Sequence, residues 1–183
     1  GDLFIETLRD GGCVVDGETR PLRRQPQSVG VRGERRHRFD VRYTHRGPLV
    51  SDAALLRRVF GLAADRHVSL ALPAYHADTD ELTAWWRMNR AGSLDDVRRA
   101  LGTYGQCALN VVAADADGHI GQFPAAVLPD RPAPPRGTAR DGSTSAHDWH
   151  GVRRLPDASA CVDPPRGLLA NSNDLPVPGG QAE

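Results

Sequence analysis

Asn110 opens a short apolar run, Val111-Val112-Ala113-Ala114, of the kind a strand covered on both faces shows. Its carboxamide brings two donors and one acceptor to the start of that strand. One use is structural, a bond to a neighbouring loop. The other is chemical, because acyl transfer through a tetrahedral intermediate needs fixed donors where negative charge develops. A strand terminus holds such an amide more rigidly than a loop does. Arg131, after Pro129-Asp130, is either a surface arginine paired with Asp130 or a cation directed at a site. Trp85 and Trp86 recur with other apolar residues at helical spacing and serve either a core or the wall of a pocket. His45 is available as a base and reads as structural. His147 and His150 lack a third ligand nearby, and Asp115 and Asp117 are better explained as turn residues than as part of a calcium loop.

These residues need elements to position them. Residues 2–8 alternate apolar and polar side chains, a half-buried strand. Asp10-Gly11-Gly12 and Asp16-Gly17-Glu18 are turns flanking Cys13-Val14-Val15. A hairpin is expected within 27–44, with arms at 28–32 and 38–44 and with Phe39, Val41 and Tyr43 on one face. Residues 67–73 suggest another strand. Two helices follow. Asp78 or Thr79 caps the first, which carries Leu82, Trp85, Trp86 and Asn89 along one stripe. Ser93 caps the second, with Asp96 completing a capping box and Leu94, Val97 and Leu101 as its apolar stripe. Asp115 to Gly118 is turn chemistry between two strands. Residues 131–145 read as a long irregular loop, 149–156 as a short anchored segment and 167–171 as a last strand. The pattern is α+β: an antiparallel sheet, two adjacent helices and a long irregular C-terminal segment. The chain reads as one partial domain, strand-rich over 1–75, a helical pair over 78–104, strand-turn-strand over 106–131 and loop-rich over 132–183.

Composition narrows the function classes. The chain of 183 residues balances 23 basic against 23 acidic side chains, which implies no general attraction to nucleic acid or to a membrane. Every basic residue other than histidine is arginine, and arginines concentrate between Arg20 and Arg46. Cys13, Cys107 and Cys161 are widely spaced and form no Cys-x-x-Cys pair, which argues against a zinc knuckle. No apolar run is long enough to span a bilayer, and no signal peptide is evident. The chain begins at Gly1 in what reads as mid-strand and trails off in Pro and Gly, as an excised or processed segment would.

Seven pieces in order, GDLFIE, THRGPLVSD, DELTAWWRMNRAGSLDDVRRAL, NVVAADADGHIG, PDR, WHGVRRLPD and LLANSNDLP, resemble the penicillin acylase family of N-terminal-nucleophile amidohydrolases. The resemblance implies part of a four-layer αββα sandwich, taken from the interior of the large subunit. It implies hydrolysis of an acyl amide, with Asn110 as the oxyanion donor and Arg131 orienting the site. Trp85 and Trp86 would line the substrate pocket. Asn171 and Asn173 would support a turn. Asp2 matches an acidic residue at a strand where some members hold calcium; no cofactor is required, and a structural calcium is the one ion implied. Calcium takes about six to eight oxygens, so Asp2 alone does not make a site. The nucleophile would lie upstream of Gly1, which has no side chain to substitute for it, so the isolated chain is expected to be inactive. Its partners would be the remaining segments of the same acylase and a small-molecule amide, in a periplasmic or secreted setting. The contrasting expectation is a non-catalytic acylase-like module that binds through the Arg20–Arg46 ribbon or the Pro-rich loop.

Overall fold

A computed structural model describes residues 1–133, 139–155 and 160–172. In chain order its strands and helices are β1 (Asp2–Arg9), β2 (Gly12–Val15), β3 (Glu18–Pro21), β4 (Arg23–Val29), β5 (His37–Tyr43), α1 (Ala54–Val59), β6 (His67–Ala71), α2 (Glu81–Met88), α3 (Leu94–Leu101), β7 (Leu109–Ala114), β8 (Ile120–Ala125), β9 (Val127–Asp130), β10 (Arg140–Asp141), β11 (Gly151–Arg154) and β12 (Cys161–Val162). The sequence suggested one partial domain. Contacts instead group the chain into two compact units, 1–75 with 131–150, and 76–130 with 151–183.

In the first unit, β1 is the organiser. Its outer half pairs with β2 through a two-residue turn, Asp10-Gly11, in which both residues have positive φ (51° and 76°). Asp16-Gly17 repeats the device between β2 and β3. Positive φ at both central positions is what a right-twisting hairpin requires, and Asp-Gly supplies it at little cost. The inner half of β1 lies between β6, antiparallel with Phe4 opposite Ser69, and β10, parallel with Phe4 opposite Arg140. The sheet is therefore not wholly antiparallel. Phe4, Cys13, Val15, Leu49, Val68 and Ala71 are buried here. The alternation expected for β1 is present, but its buried face carries Asp2 and Glu6 on either side of Phe4.

The expected hairpin forms with a shifted first arm. β4 runs from Arg23, includes Pro26, and pairs with β5 so that Gln27 faces Phe39. The two strands form their own ribbon, largely exposed, with Val29 and Phe39 open to solvent. A proline is tolerated there because, among the described residues, β4 pairs on one edge only. The short α1 was not anticipated: no side chain caps it and none of its residues is buried.

In the second unit, α2 and α3 pack together on a sheet ordered β12–β8–β7. Ser93 caps α3 as expected, accepting from the Asp96 amide, while Asp96 accepts from Gly92 N–H and Ser93 Oγ. The cap of α2 is Asp80, which accepts from Thr83 N–H, not Asp78 or Thr79. The expected stripe of α2 is also turned outward. Ala84 is fully buried and Met88 packs on the core, whereas Leu82 is 83% exposed. A small residue on the inner face lets the helix approach its neighbours closely. Beside this sheet, β9 pairs with β11, which accounts for the anchored segment expected at 149–156 as far as Leu155. Residues 167–171 form no strand. Pro156, Asn173 and the heart of the Pro-rich loop lie outside the described residues.

Candidate functional site

Asn110 is the second residue of β7, opposite Pro124 of β8. Leu109, Val111 and Ala113 pack on a cluster formed by Ala84, Leu94, Leu101, Tyr104, Phe123 and Ala125. Side chains alternate across a strand, so Asn110 leaves the sheet on the face opposite the helices, the face that also carries Val112. Val112 is 47% exposed, and β7 is the edge of its sheet among the described residues. The apolar run thus packs on the helix-covered core through Leu109, Val111 and Ala113. Asn110 itself is half-buried with Oδ1 shielded from solvent. The turn that closes this hairpin is as expected: Asp115 Oδ1 accepts from the amides of Asp117 and His119, and Gly118 takes φ 92°.

α2, which carries both Trp85 and Trp86, packs with α3 on the other face of the same sheet. Trp85 meets Tyr104 edge-on, with centroids 6.0 Å apart, and Trp86 lies beneath Arg90 on the outer side of α2. The sheet separates both tryptophans from the Asn110 carboxamide, so they do not line a pocket around it. Their alternative role, core filling, does not hold either, since both remain about half exposed.

Asp2 and Arg131 are brought together. Arg131 donates through Nε to Oδ2 at 2.8 Å and through Nη2 to Oδ1 at 3.0 Å, a bidentate fork. Trp149 Nε1 donates to Oδ2 at 2.8 Å. Arg140 Nε stands 3.2 Å from the same oxygen, within ion-pair distance but without hydrogen-bond geometry. Burial pushes the Asp2 carboxyl up, but the Arg131 and Trp149 hydrogen bonds and the charges of Arg131 and Arg140 outweigh it and hold it below the usual carboxylate range. These surroundings do not fit a calcium ion. A cation there would face two guanidinium groups, and among the described residues no cluster of three metal-ligating side chains forms. Arg131 is therefore paired with Asp2, and not with Asp130 as one of its two sequence readings had it.

The second buried carboxylate of β1 has its own cation. Arg46 Nη1 donates to both Glu6 oxygens, at 3.2 and 3.0 Å, and to Gly142 O; Nη2 donates to Thr144 O and Nε to Asp148 at 2.6 Å. The guanidinium stacks on Phe4, and Ser69 Oγ donates to Glu6 at 2.6 Å. His45 joins at the rim through Asp148, 3.0 Å away, which agrees with its structural reading. Arg46, Arg140 and Trp149 were not singled out from the sequence. A signal existed: two carboxylates spaced four apart on the buried face of one strand demand buried cations.

The sequence matches the Penicillin amidase family over residues 1–183. The acyl-homoserine lactone acylase QuiP of Pseudomonas fluorescens is 29% identical over 185 residues, which cover 98% of this chain and 22% of that protein. QuiP of Pseudomonas aeruginosa is 26% identical over 186 residues, with the same shares. Thermostable penicillin G acylase from Alcaligenes faecalis has the same fold, with a TM-score of 0.73 at 22% identity, covering 98% of this chain and 32% of that one. The chain spans about a fifth of the length of the curated relatives it matches. Its mixed sheets and flanking helices thus share the α+β fold of part of that acylase. With the match running from Gly1 to Glu183 and the fold shared with a solved acylase, this chain belongs to the penicillin amidase family.

Proposed function

We propose that this chain is a segment of an amidohydrolase that cleaves an acyl amide of a small molecule, with Asn110 as an oxyanion donor. The attacking N-terminal residue lies outside these 183 residues and passes its proton through its own α-amine. Attack converts the carbonyl into a tetrahedral alkoxide; the Asn110 amide donates to that oxygen, the amine leaves, and water releases the acyl group. By resemblance to the family, Arg131 orients groups of the site in the complete enzyme. The observation that carries this reading is the placement of Asn110: a half-buried carboxamide on a strand, aimed away from its own helix-packed core. The names of the relatives suggest N-acyl-homoserine lactones and penicillins as the first substrates to assay. The remaining segments of the same polypeptide complete the site, no cofactor takes part, and the isolated chain is inactive. The enzyme works in the periplasm or outside the cell.

In the full-length enzyme, Asn110→Ala lowers kcat by roughly 10²–10³-fold, the effect of removing one oxyanion donor, with KM changed far less. Steady-state kinetics on an N-acyl amide test this, and an unchanged kcat overturns it. One observation favours a second reading. The β4–β5 ribbon presents Arg36 and Arg38 beside exposed Phe39, a surface suited to a protein partner in a non-catalytic module. A full-length protein that turns over no amide, yet loses a partner when Arg36 and Arg38 are replaced by alanine, decides for that reading.

A further inference from the structure

A cavity of about 130 Å³ opens into the core of the second unit, and every residue that lines it belongs to that unit. Its walls include Leu101, Tyr104, Phe123 and Ala125, which are 7%, 6%, 4% and 5% exposed and belong to the cluster on which α2 and α3 pack. Protein interiors are close-packed, with few voids larger than a water molecule. An apolar cavity of about 150 Å³ takes a benzene ring, so the space here suits one ring or a short alkyl chain. Its charge is one-sided. Arg98 and Arg154 line it, and among the described residues no carboxylate does. Arg98 is paired with Asp95 at 2.8 Å. Arg154 is exposed and donates to two backbone carbonyls, Tyr104 O and Asp78 O, both at 2.7 Å. Those bonds fix the guanidinium without neutralising it, and no carboxylate pairs with it among the described residues. The end of α3 reaches the cavity through Leu101 and Gly102. Bare carbonyls there would disfavour an anion. They are not bare: Leu101 O accepts from Tyr104 N–H, Ala100 O from Thr103 Oγ1 and Tyr104 O from Arg154.

We propose that this cavity binds a small apolar carboxylate, with a ring or short alkyl chain against Leu101, Phe123 and Ala125 and the anionic head at Arg154. Apolar walls favour burial of the hydrocarbon part, and the uncompensated guanidinium favours the charge. The site uses none of the groups proposed for amide hydrolysis. Phe123 and Ala125 face the helices, on the side of the sheet opposite the Asn110 side chain.

The test titrates the full-length protein with para-fluorobenzoate, followed by fluorine NMR and calorimetry. Saturable binding is expected with a dissociation constant of about 0.1–1 mM. The amide para-fluorobenzamide keeps the ring without the charge and is expected to bind about tenfold more weakly. Ala125→Leu fills the cavity; it is expected to remove this binding site while the thermal midpoint is kept or raised. Arg154→Gln removes the charge and is expected to weaken the benzoate about tenfold while leaving the benzamide unchanged. Absence of saturable binding overturns the proposal, and so do equal affinities for the two probes. Benzoate binding that survives either variant with unchanged affinity and stoichiometry also overturns it, because the probe then sits elsewhere. If Ala125→Leu does not fold, Ala160→Leu narrows the same cavity and takes its place. If Arg154→Gln does not fold, the comparison of the two probes on the unaltered protein decides the role of charge.

Discussion

Arg46 carries a full charge to a place where its side chain is only 3% exposed, and Glu6 opposite it is wholly enclosed. Isolated, either ion would be costly at that depth; together, with Ser69 and two backbone carbonyls filling the remaining valences, they are satisfied. The asymmetry of buried pairs sets the expected result. Arg46→Ala leaves Glu6 charged and enclosed, and costs about 3–5 kcal/mol, read as a shift in the urea midpoint. Replacing both residues by apolar ones of similar volume is expected to cost far less, which distinguishes desolvation from lost attraction. Beside it, Gly47 has no room for a side chain: a Cβ would come 2.0 Å from the Leu70 carbonyl oxygen. The Gly-Pro step visible in the sequence is therefore a steric demand of the strand crossing at Leu70.

At the scale of elements, the local rules hold where the chemistry is local. The α3 cap is closed by Ser93 and Asp96 within four residues of chain, with Asp95 and Asp96 paired to Arg98 and Arg99 one turn on. Ser93→Ala is expected to cost about 1 kcal/mol, measured as a lower urea midpoint with unchanged slope. The two Asp-Gly turns and the Asp115–Gly118 turn were equally legible, because positive φ and an Asx side chain act inside the turn itself. The orientation of α2 was not. Leu82, Trp85 and Trp86 form a strong helical stripe, yet the sheet takes the Ala84 and Met88 side. Periodicity reports that a helix has two faces; which face is buried depends on what it packs against.

At the scale of the whole molecule, pH acts on stability in opposing senses. Burial pushes the His67 imidazole down, with Arg42 and Arg57 adding to the effect, and its Nδ1 is enclosed with no hydrogen-bond partner among the described residues. A depressed group contributes stability above its unfolded pKa and loses it as pH falls through the folded value. The carboxyl of Asp2 follows the same sign at lower pH. His119 runs the other way: hydrogen bonding to Asp163 raises it, so its contribution is complete below the ordinary histidine value and fades as pH rises through the higher folded one. The His119–Asp163 pair is about half exposed and screened, so the buried groups dominate. The urea midpoint is expected to fall as pH drops below about 6.5 and to fall further through the carboxylate range. Asp2→Asn flattens the lower part of that fall, and a profile indifferent to both His67→Phe and Asp2→Asn contradicts it.

Taken alone, the sequence determined the α+β class, the hairpin turns, the α3 cap, the family and the strand that carries Asn110. Each rests on interactions between residues close in the chain or on a pattern of pieces in order. It did not determine the partners of Asp2 and Glu6, which come from Arg131, Trp149 and Arg46, some 40 to 147 positions away. Nor did it give the side of the sheet to which the tryptophans belong. A buried charge announces that it needs a counterion but not which one. That choice is made only when strands from distant parts of the chain are brought into register, because Coulomb and hydrogen-bond energies depend on distance in space and not along the backbone.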